Sequence, residues 1–512
     1  MSESIQHAVG QLVMAGFDGY MPNAHIEGLI REQRIGGVIL FRRNIESPAQ
    51  VAAMCRRLQE INAEVSDLPL LIGIDQEGGM VMRIEEGVTP LPSAMAFQAA
   101  GSIADCEALT QIGADELRQM GINLNLAPDL DVNNNPHNPV IGVRAYGEDA
   151  ATVCEYGLAA MRGIQAAGLA AMAKHFPGHG DTAADSHYAL PVVPHDRGRL
   201  HDVELAPFKA AIAAGVDSLM TAHIVFPAIE PDTALPATLS HAVLTGLLRD
   251  ELGFDGMVLT DCLEMASIAD GMGVVKGAVQ SIVAGADMVL VSHTQSRQKD
   301  AVLALQQAVE SGHISSERLN TALARITRLK KKPAILNWRD LPQWPERLQQ
   351  PSAMALAAKV QAAALKVQSE FQPLDKNKPV LLITAEVNTH TEIDEVALGG
   401  KRDARGSMLP QFLAAGLAVG EVVVEPQCGE DEIAAVLALV GAAPQIVLQS
   451  YNAVLSPGQQ ALIAALPQER LWLVAGRLPY DLDLAPQAKG RLAAYGNRPP
   501  ALVPVVAKLL QD

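Results

Sequence analysis

Within fourteen residues, "KHFPGHGDTAADSH" (174–187) brings together Lys174, His175, His179, Asp181, Asp185 and His187. Imidazoles and carboxylates at that density can move protons or hold a metal. Pro177 removes a backbone donor, and Gly178 and Gly180 add backbone freedom, so the segment reads as a loop. Loops this rich in titratable groups usually serve a site. His175 and His179 have the i,i+4 spacing of a helical metal pair. Pro177 and Gly178 between them oppose that helix, and no Cys or Glu stands at ligand spacing. Neither a metal nor another cofactor is therefore expected. A second candidate is Asp261, at the end of "GMVLTD"; from position alone it could equally cap the helix that "LEMASI" would start.

Something must hold these groups together. From residue 8 to about 330, short β-rich runs alternate with helical patterns. The runs are 11–17, 36–41, 69–75, 122–128, 169–176, 217–224, 255–261 and 286–292. Eight strands alternating with helices predict a (β/α)8 TIM-type barrel. Polar residues cluster at the strand ends: Asp75, Asp129, Lys174 with His175, His223, Asp261 and His293. Barrel enzymes keep their chemistry on that face. After Lys332, "PAILNWRDLPQWPERLQQPS" reads as an ordered linker crossing the barrel surface, followed by a helix from about residue 352. From 379 onward "PVLLITA", "EVVVE", "QIVLQS" and "LWLVAG" alternate with helical runs, as in a smaller α/β sandwich with a largely parallel sheet. The expected division is a barrel over 1–335, a linker and connecting helix over 336–375, and the sandwich over 376–512. Its lack of a GxGxxG or Walker A motif disfavours a nucleotide domain.

Composition narrows the partners. The chain has 512 residues, 49% hydrophobic and 19% charged, with a formal net charge of −18. Its one basic run, "LKKK" at 329–332, suits the end of a helix, so no nucleic acid is expected. Five scattered cysteines form no CxxC pair and fit a reducing compartment. The first twenty residues lack the pattern of a signal peptide, and no apolar run approaches the ~18 residues of a membrane span. The expected location is the cytoplasm, with no membrane partner.

Four stretches, in order, resemble glycoside hydrolase family 3, and within it the β-N-acetylglucosaminidase branch. They are "IDQEGGMVMRI" (74–84), "NLAPDLDVNNNPHNPVIGVRAYGED" (125–149), "KHFPGHGDTAADSH" and "LTDCLEM" (259–265). The resemblance is strong over residues 8 to about 340; the remainder is similar only in kind to the family's second domain. It implies that Asp261 is the nucleophile of a retaining glycosidase. It implies that His187 is the general acid/base, with Asp185 orienting its imidazole, in place of the usual second carboxylic acid. The glycines and Pro177 would let the loop carry His187 to the leaving oxygen. Asp75, Lys174 and His175 should hold sugar hydroxyls, and Arg83 and Arg144 should reach the sugar or its substituents. His223 should lie at the pocket or just behind it, and Asp131 could equally be structural. Met80 and Met82 stand where relatives often carry Arg and Gln, which bears on aglycone preference.

The function so implied is a retaining exo-β-N-acetylglucosaminidase acting on cell-wall fragments or chito-oligosaccharides, with a carbohydrate as its only expected partner. A β-glucosidase or β-xylosidase of the same family would typically take a Glu acid/base from the second domain, and no such Glu is recognisable. A GlcNAc phosphorylase differs only in the acceptor. A non-catalytic sugar-binding protein would be expected to have lost Asp261 or His187. The loop 397–406, "ALGGKRDARG", is a candidate for reaching the mouth.

Overall fold

A computed structural model describes residues 2–183, 190–368, 371–386 and 406–511. Eight short parallel strands close into a barrel: β1 (Val13–Ala15), β2 (Gly37–Leu40), β3 (Leu71–Ile74), β4 (Leu124–Asn125), β5 (Ala170–Phe176), β6 (Ser218–Thr221), β7 (Met257–Cys262) and β8 (Met288–Val291). They follow one another around the barrel in chain order, and β8 pairs with β1. Each falls at one of the eight runs anticipated. Such segments are apolar almost throughout because both faces are covered, by the barrel interior and by helices. The helix Pro48–Ala63 is one such cover. Ser47 accepts a hydrogen bond from Gln50 N–H at its start, and Pro48 takes the first turn. Its Val51, Met54, Cys55, Leu58 and Ile61 are buried, the spacing of one helical face.

Two strands depart from a regular ladder. Between β5 and β6 the register runs from Ala173↔Leu219 to Phe176↔Thr221, so three steps on β5 face two on β6. Between β7 and β8 it runs from Leu259↔Met288 to Cys262↔Leu290, again three against two. Each strand carries one extra residue, a bulge. A strand normally turns neighbouring side chains to opposite faces. These bulges instead present Lys174 with His175, and Asp261 with Cys262, to one cavity.

The second body is a six-stranded sheet: β9 (Lys366–Val367), β10 (Val380–Ala385), β11 (Val419–Val424), β12 (Gln445–Ser450), β13 (Leu471–Ala475) and β14 (Gly490–Ala493). Its order is β9-β14-β13-β12-β10-β11, parallel except for β9 against β14. The sequence runs anticipated four of these strands; β9 and β14 are short and lack a long apolar run. Alternation along the strands feeds two apolar layers. Ile383, Leu448 and Leu473 pack with Val436 and Leu462 on one side, and Leu382, Val447 and Val474 pack with Leu502 and Leu509 on the other.

The two bodies are joined by side chains rather than by a flexible tether. Arg56 donates to Leu341 O (2.8 Å), and the Gln349 amide donates to Glu116 (2.8 Å), so the proline-rich stretch lies on barrel helices. Ser93 donates to Tyr495 O (2.8 Å), and the Tyr480 hydroxyl bridges Asn133 (3.0 Å) and Glu148 (2.5 Å). Met80 is buried within an apolar layer of the second body, with the Tyr451 hydroxyl 3.9 Å from its sulfur. Met82 is buried too, and neither methionine lines the mouth cavity. Met80 thus helps seat the second body, whereas Met82 packs in the barrel core. No helix among the described residues is long and apolar enough to cross a membrane.

Candidate active site

A cavity of about 630 Å³ opens at the carboxyl ends of the barrel strands. Asp75, Glu77, Arg83, Arg144, Lys174, His175, His179 and Asp261 line it, together with His293, Cys262 and apolar groups such as Val81, Val140 and Met265. All its lining residues come from positions 39–293, so the second body contributes none among the described residues.

One wall is a charge lattice. Lys174 Nζ lies 2.7 Å from both Asp75 Oδ1 and Glu77 Oε1. Arg144 grips Glu77 with two parallel hydrogen bonds of 2.9 and 2.8 Å, and it lies 3.5 Å from Asp129. Arg83 approaches Asp75 at 3.5 Å. Burial alone would drive Glu77 toward its neutral form, but the charges of Arg144 and Lys174 outweigh it and hold this carboxyl far below the usual range. Lys174 is likewise disfavoured by burial, yet Asp75 and Glu77 keep its pKa above the ordinary value. Glu77 is the functional residue that sequence reasoning passed over. It stands two positions after Asp75 in the quoted "IDQEGG", the spacing that returns a side chain to the same face of an extended segment.

Beneath this wall, Asp131 is wholly buried and accepts from the His175 and His179 amides (3.3 and 2.6 Å) and from His175 Nδ1 (2.7 Å). That contact sets the His175 ring and leaves Nε2 toward Arg144, 3.4 Å away. Burial would raise Asp131, but His175 and the hydrogen bonds bring it down to about 2. Its neighbour Asp129 goes the other way, raised by burial and then by the charge of Asp131. The structural reading of Asp131 and the functional one thus meet: it fixes the histidine loop from below. His179, buried against His175, is pushed down to about 4 by burial and stays neutral at pH 7.

Gly180 has Val132 O only 1.7 Å from where a Cβ would sit, and Asn138 donates to the carbonyls of His179 and Gly180 (2.8 and 2.9 Å). At this end of the loop the glycine therefore serves close packing rather than travel. Asp185 and His187 lie outside the described residues, as does most of 397–406, including Lys401 and Arg402.

Across the cavity, Asp261 Oδ1 accepts from the Cys262 amide (2.7 Å), and the Asp261 amide faces Thr221 Oγ1 at 3.4 Å. His223 does not reach the cavity. It is buried, with Nδ1 2.8 Å from Thr238 Oγ1 and Nε2 2.9 Å from Cys262 O. Thr238 Oγ1 in turn lies 2.7 Å from Thr221 Oγ1. His223 thus lies just behind the cavity rather than on its lining. Through Nε2 it fastens the end of β7, which carries Asp261, and through Nδ1 it holds Thr238.

Glu77→Gln should be costly because it leaves Lys174 and Arg144 buried side by side with only Asp75 and Asp129 to balance them. Unpairing a buried ion pair costs about 3–5 kcal/mol. Urea unfolding should show that loss at pH 7. The pH dependence has a definite sign. Glu77 and Asp131 titrate lower in the folded than in the unfolded chain, so their stabilisation is complete above the ordinary carboxylate range. It fades as pH falls from there toward 2. Unfolding midpoints for Glu77→Gln should therefore converge on the wild type in acid; a constant gap from pH 7 to pH 3 would refute this account.

A parallel barrel whose acids, bases and cations gather at the carboxyl ends of its strands has the architecture of a barrel enzyme, and a wall of paired ions suits a polyhydroxylated substrate. The profile of the glycosyl hydrolase family 3 N-terminal domain matches residues 4–329, and the chain belongs to that family. It is similar to the structure of a family 3 β-N-acetylglucosaminidase from Paenibacillus sp. str. FPU-7, at 47% identity and a TM-score of 0.92, covering 99% of this chain and 96% of that one. It is 39% identical over 326 residues to β-hexosaminidase A of Pseudoalteromonas piscicida, which covers 59% of this chain but only 54% of the relative, so the chain spans about half of that protein. It is 35% identical over 343 residues to a β-hexosaminidase of Alkalilimnicola ehrlichii, covering 65% of this chain and 93% of the relative.

Proposed function

We propose that this protein is a retaining exo-β-N-acetylglucosaminidase that removes a terminal β-linked GlcNAc. What carries the reading is Asp261, a carboxylate at a bulged strand end facing an ion-paired wall, in a chain similar from end to end to the Paenibacillus enzyme. In the first step an Asp261 oxygen bonds to the anomeric carbon as the glycosidic C–O bond breaks. The proton for the departing oxygen comes from His187, whose imidazolium Asp185 stabilises; both roles rest on the family motif "DSH". Water, deprotonated by His187, then attacks the anomeric carbon and releases Asp261.

The wall residues position the sugar. Lys174, His175 and Asp75 present donors and acceptors to hydroxyls. Arg144 Nη1 is buried without a hydrogen-bond partner among the described residues and donates to a substituent of the bound sugar. An acetamido carbonyl meets that need, and a sugar lacking it leaves the donor unpaired, which discriminates strongly. Cell-wall turnover fragments and chito-oligosaccharides fit the specificity, and the cytoplasm fits the cysteine usage.

Hydrolysis is favoured over phosphorolysis because Arg83, Arg144 and Lys174 already face Asp75, Glu77 and Asp129, which leaves little net positive charge for an anion. The test is a panel of p-nitrophenyl β-glycosides with and without millimolar phosphate. The GlcNAc glycoside should exceed the glucoside and xyloside by about 10²-fold or more, and free GlcNAc should be the product. A dominant glucoside activity would overturn the sugar assignment, and GlcNAc-1-phosphate as the main product would overturn the hydrolase.

A further inference from the structure

Outside the catalytic cavity, Asp181, His195 and Glu204 bring one ligand atom each to within 4.8 Å of one another. His195 Nε2 lies 2.5 Å from Asp181 Oδ2. Glu204 is 3% exposed, and its Oε2 has no hydrogen-bond partner among the described residues. A buried carboxylate oxygen left without a donor is costly and rare. Asn134 Nδ2 and Arg199 Nη2 attend the other oxygen, Oε1, at 3.5 and 3.2 Å, and Arg199 Nη2 is also 3.8 Å from Asp181. Asp181 and His195 are partly exposed, so a route from solvent exists. Among the described residues, the other acid–histidine cluster, Asp129, Asp131 and His175, is buried under the catalytic cavity against Arg144 and belongs to that site.

We propose that Asp181, His195 and Glu204 form a binding site for a divalent transition-metal ion of the zinc class. One imidazole and two carboxylates are a donor set for such an ion, with the remaining position open to water. Ligand bonds of about 2 Å need donor atoms about 3 Å apart. The Asp181–His195 contact must open slightly, and the metal then replaces the hydrogen bond between them. Arg199 is the competing cation. It supplies positive charge at the mouth of the site, and its partly exposed side chain can swing to solvent when a metal enters.

The site has a structural consequence. Asp181 and His195 flank residues 182–194, the stretch of sequence that includes Asp185 and His187, and Glu204 precedes the helix Ala206–Ala213. A bound ion ties these three points together. The inference does not depend on the glycosidase reading.

The experiment titrates chelator-treated full-length protein with ZnCl2 by calorimetry, with MgCl2 as the comparison. One zinc per chain should bind in the micromolar range or tighter, raise the thermal unfolding midpoint, and not be matched by magnesium. Asp181→Asn and His195→Gln should each weaken zinc by about 100-fold or more while keeping the wild-type circular dichroism. Arg199→Gln should tighten zinc about tenfold, because a repelling charge is gone. Zinc bound equally by wild type and both ligand variants places it elsewhere and overturns the proposal, as does weaker binding by Arg199→Gln or none in the wild type at millimolar zinc. Should either ligand variant misfold, the Arg199→Gln shift and the d–d absorption of a cobalt(II) complex decide the matter, since tetrahedral cobalt is intensely coloured only with protein ligands in place.

Discussion

Asp261→Ala should lower turnover of p-nitrophenyl β-GlcNAc by at least about 10⁴-fold while leaving the fold and the stability nearly intact. The stability half of the expectation comes from the surroundings. Asp261 is only partly buried, its Oδ1 accepts from the Cys262 amide, its backbone amide at Thr221 Oγ1 is kept in the variant, and the His223–Thr238 network holds β7 from behind. The activity half comes from chemistry. Without the carboxylate, no group bonds to the anomeric carbon, and the two-step route collapses. A 5-fluoro glycosyl fluoride should label the wild type once per chain, on Asp261, and should not label the variant. His223→Ala offers a useful contrast. It should disturb the Cys262 carbonyl and reduce kcat with little change in KM, because it touches the strand end rather than the sugar. A labelled residue other than Asp261, or an Asp261→Ala variant with substantial activity, would reject the nucleophile.

Why the sequence disclosed some of this and not the rest has a physical basis. Most barrel strands are apolar runs because both faces are buried, which makes them legible, whereas β4 (Leu124–Asn125) carries a buried Asn within its run. The polar tips were visible for the same reason, as the first breaks in those runs. The bulges in β5 and β7 were not visible, since an extra residue changes the register without changing the letters. Hence the shared orientation of Lys174 with His175 could not be read from alternation. Glu77 has no signal of its own in the sequence, because its importance comes from Lys174 and Arg144, which are 97 and 67 residues away. His223 follows a strand, which puts it at the pocket or just behind it; the pairing with Thr238 and Cys262 selects the second position. Met80 draws notice in the sequence because relatives often carry Arg there, which points to the aglycone side of the mouth. The core it enters is built from residues more than 300 positions later, Ile383 and Tyr451 among them.

His187→Ala should separate the two chemical steps. An aryl leaving group of low pKa departs with little help, so formation of the glycosyl–Asp261 intermediate should survive the substitution better than its hydrolysis. General acid/base groups are worth about 10²–10⁴-fold. With 2,4-dinitrophenyl β-GlcNAc the variant should show a rapid burst of phenol followed by slow turnover, because the intermediate waits for a base to activate water. With p-nitrophenyl or alkyl aglycones the first step should slow as well, and the loss should grow with leaving-group pKa. Azide should restore turnover and yield a β-glycosyl azide, since it attacks without needing to lose a proton. The Asp185→Asn variant should share this pattern in milder form, because the imidazole remains but loses the charge that stabilises its protonated state. The wild-type pH profile should lose its imidazole limb in His187→Ala, whereas a structural role would leave that limb in place. Equal losses across all leaving groups, with no azide product, would assign the proton transfers to another residue. Glu77 is poorly placed to be that residue, because Lys174 and Arg144 hold it ionised well below neutral pH. It would have to give up both ion pairs before it could carry a proton.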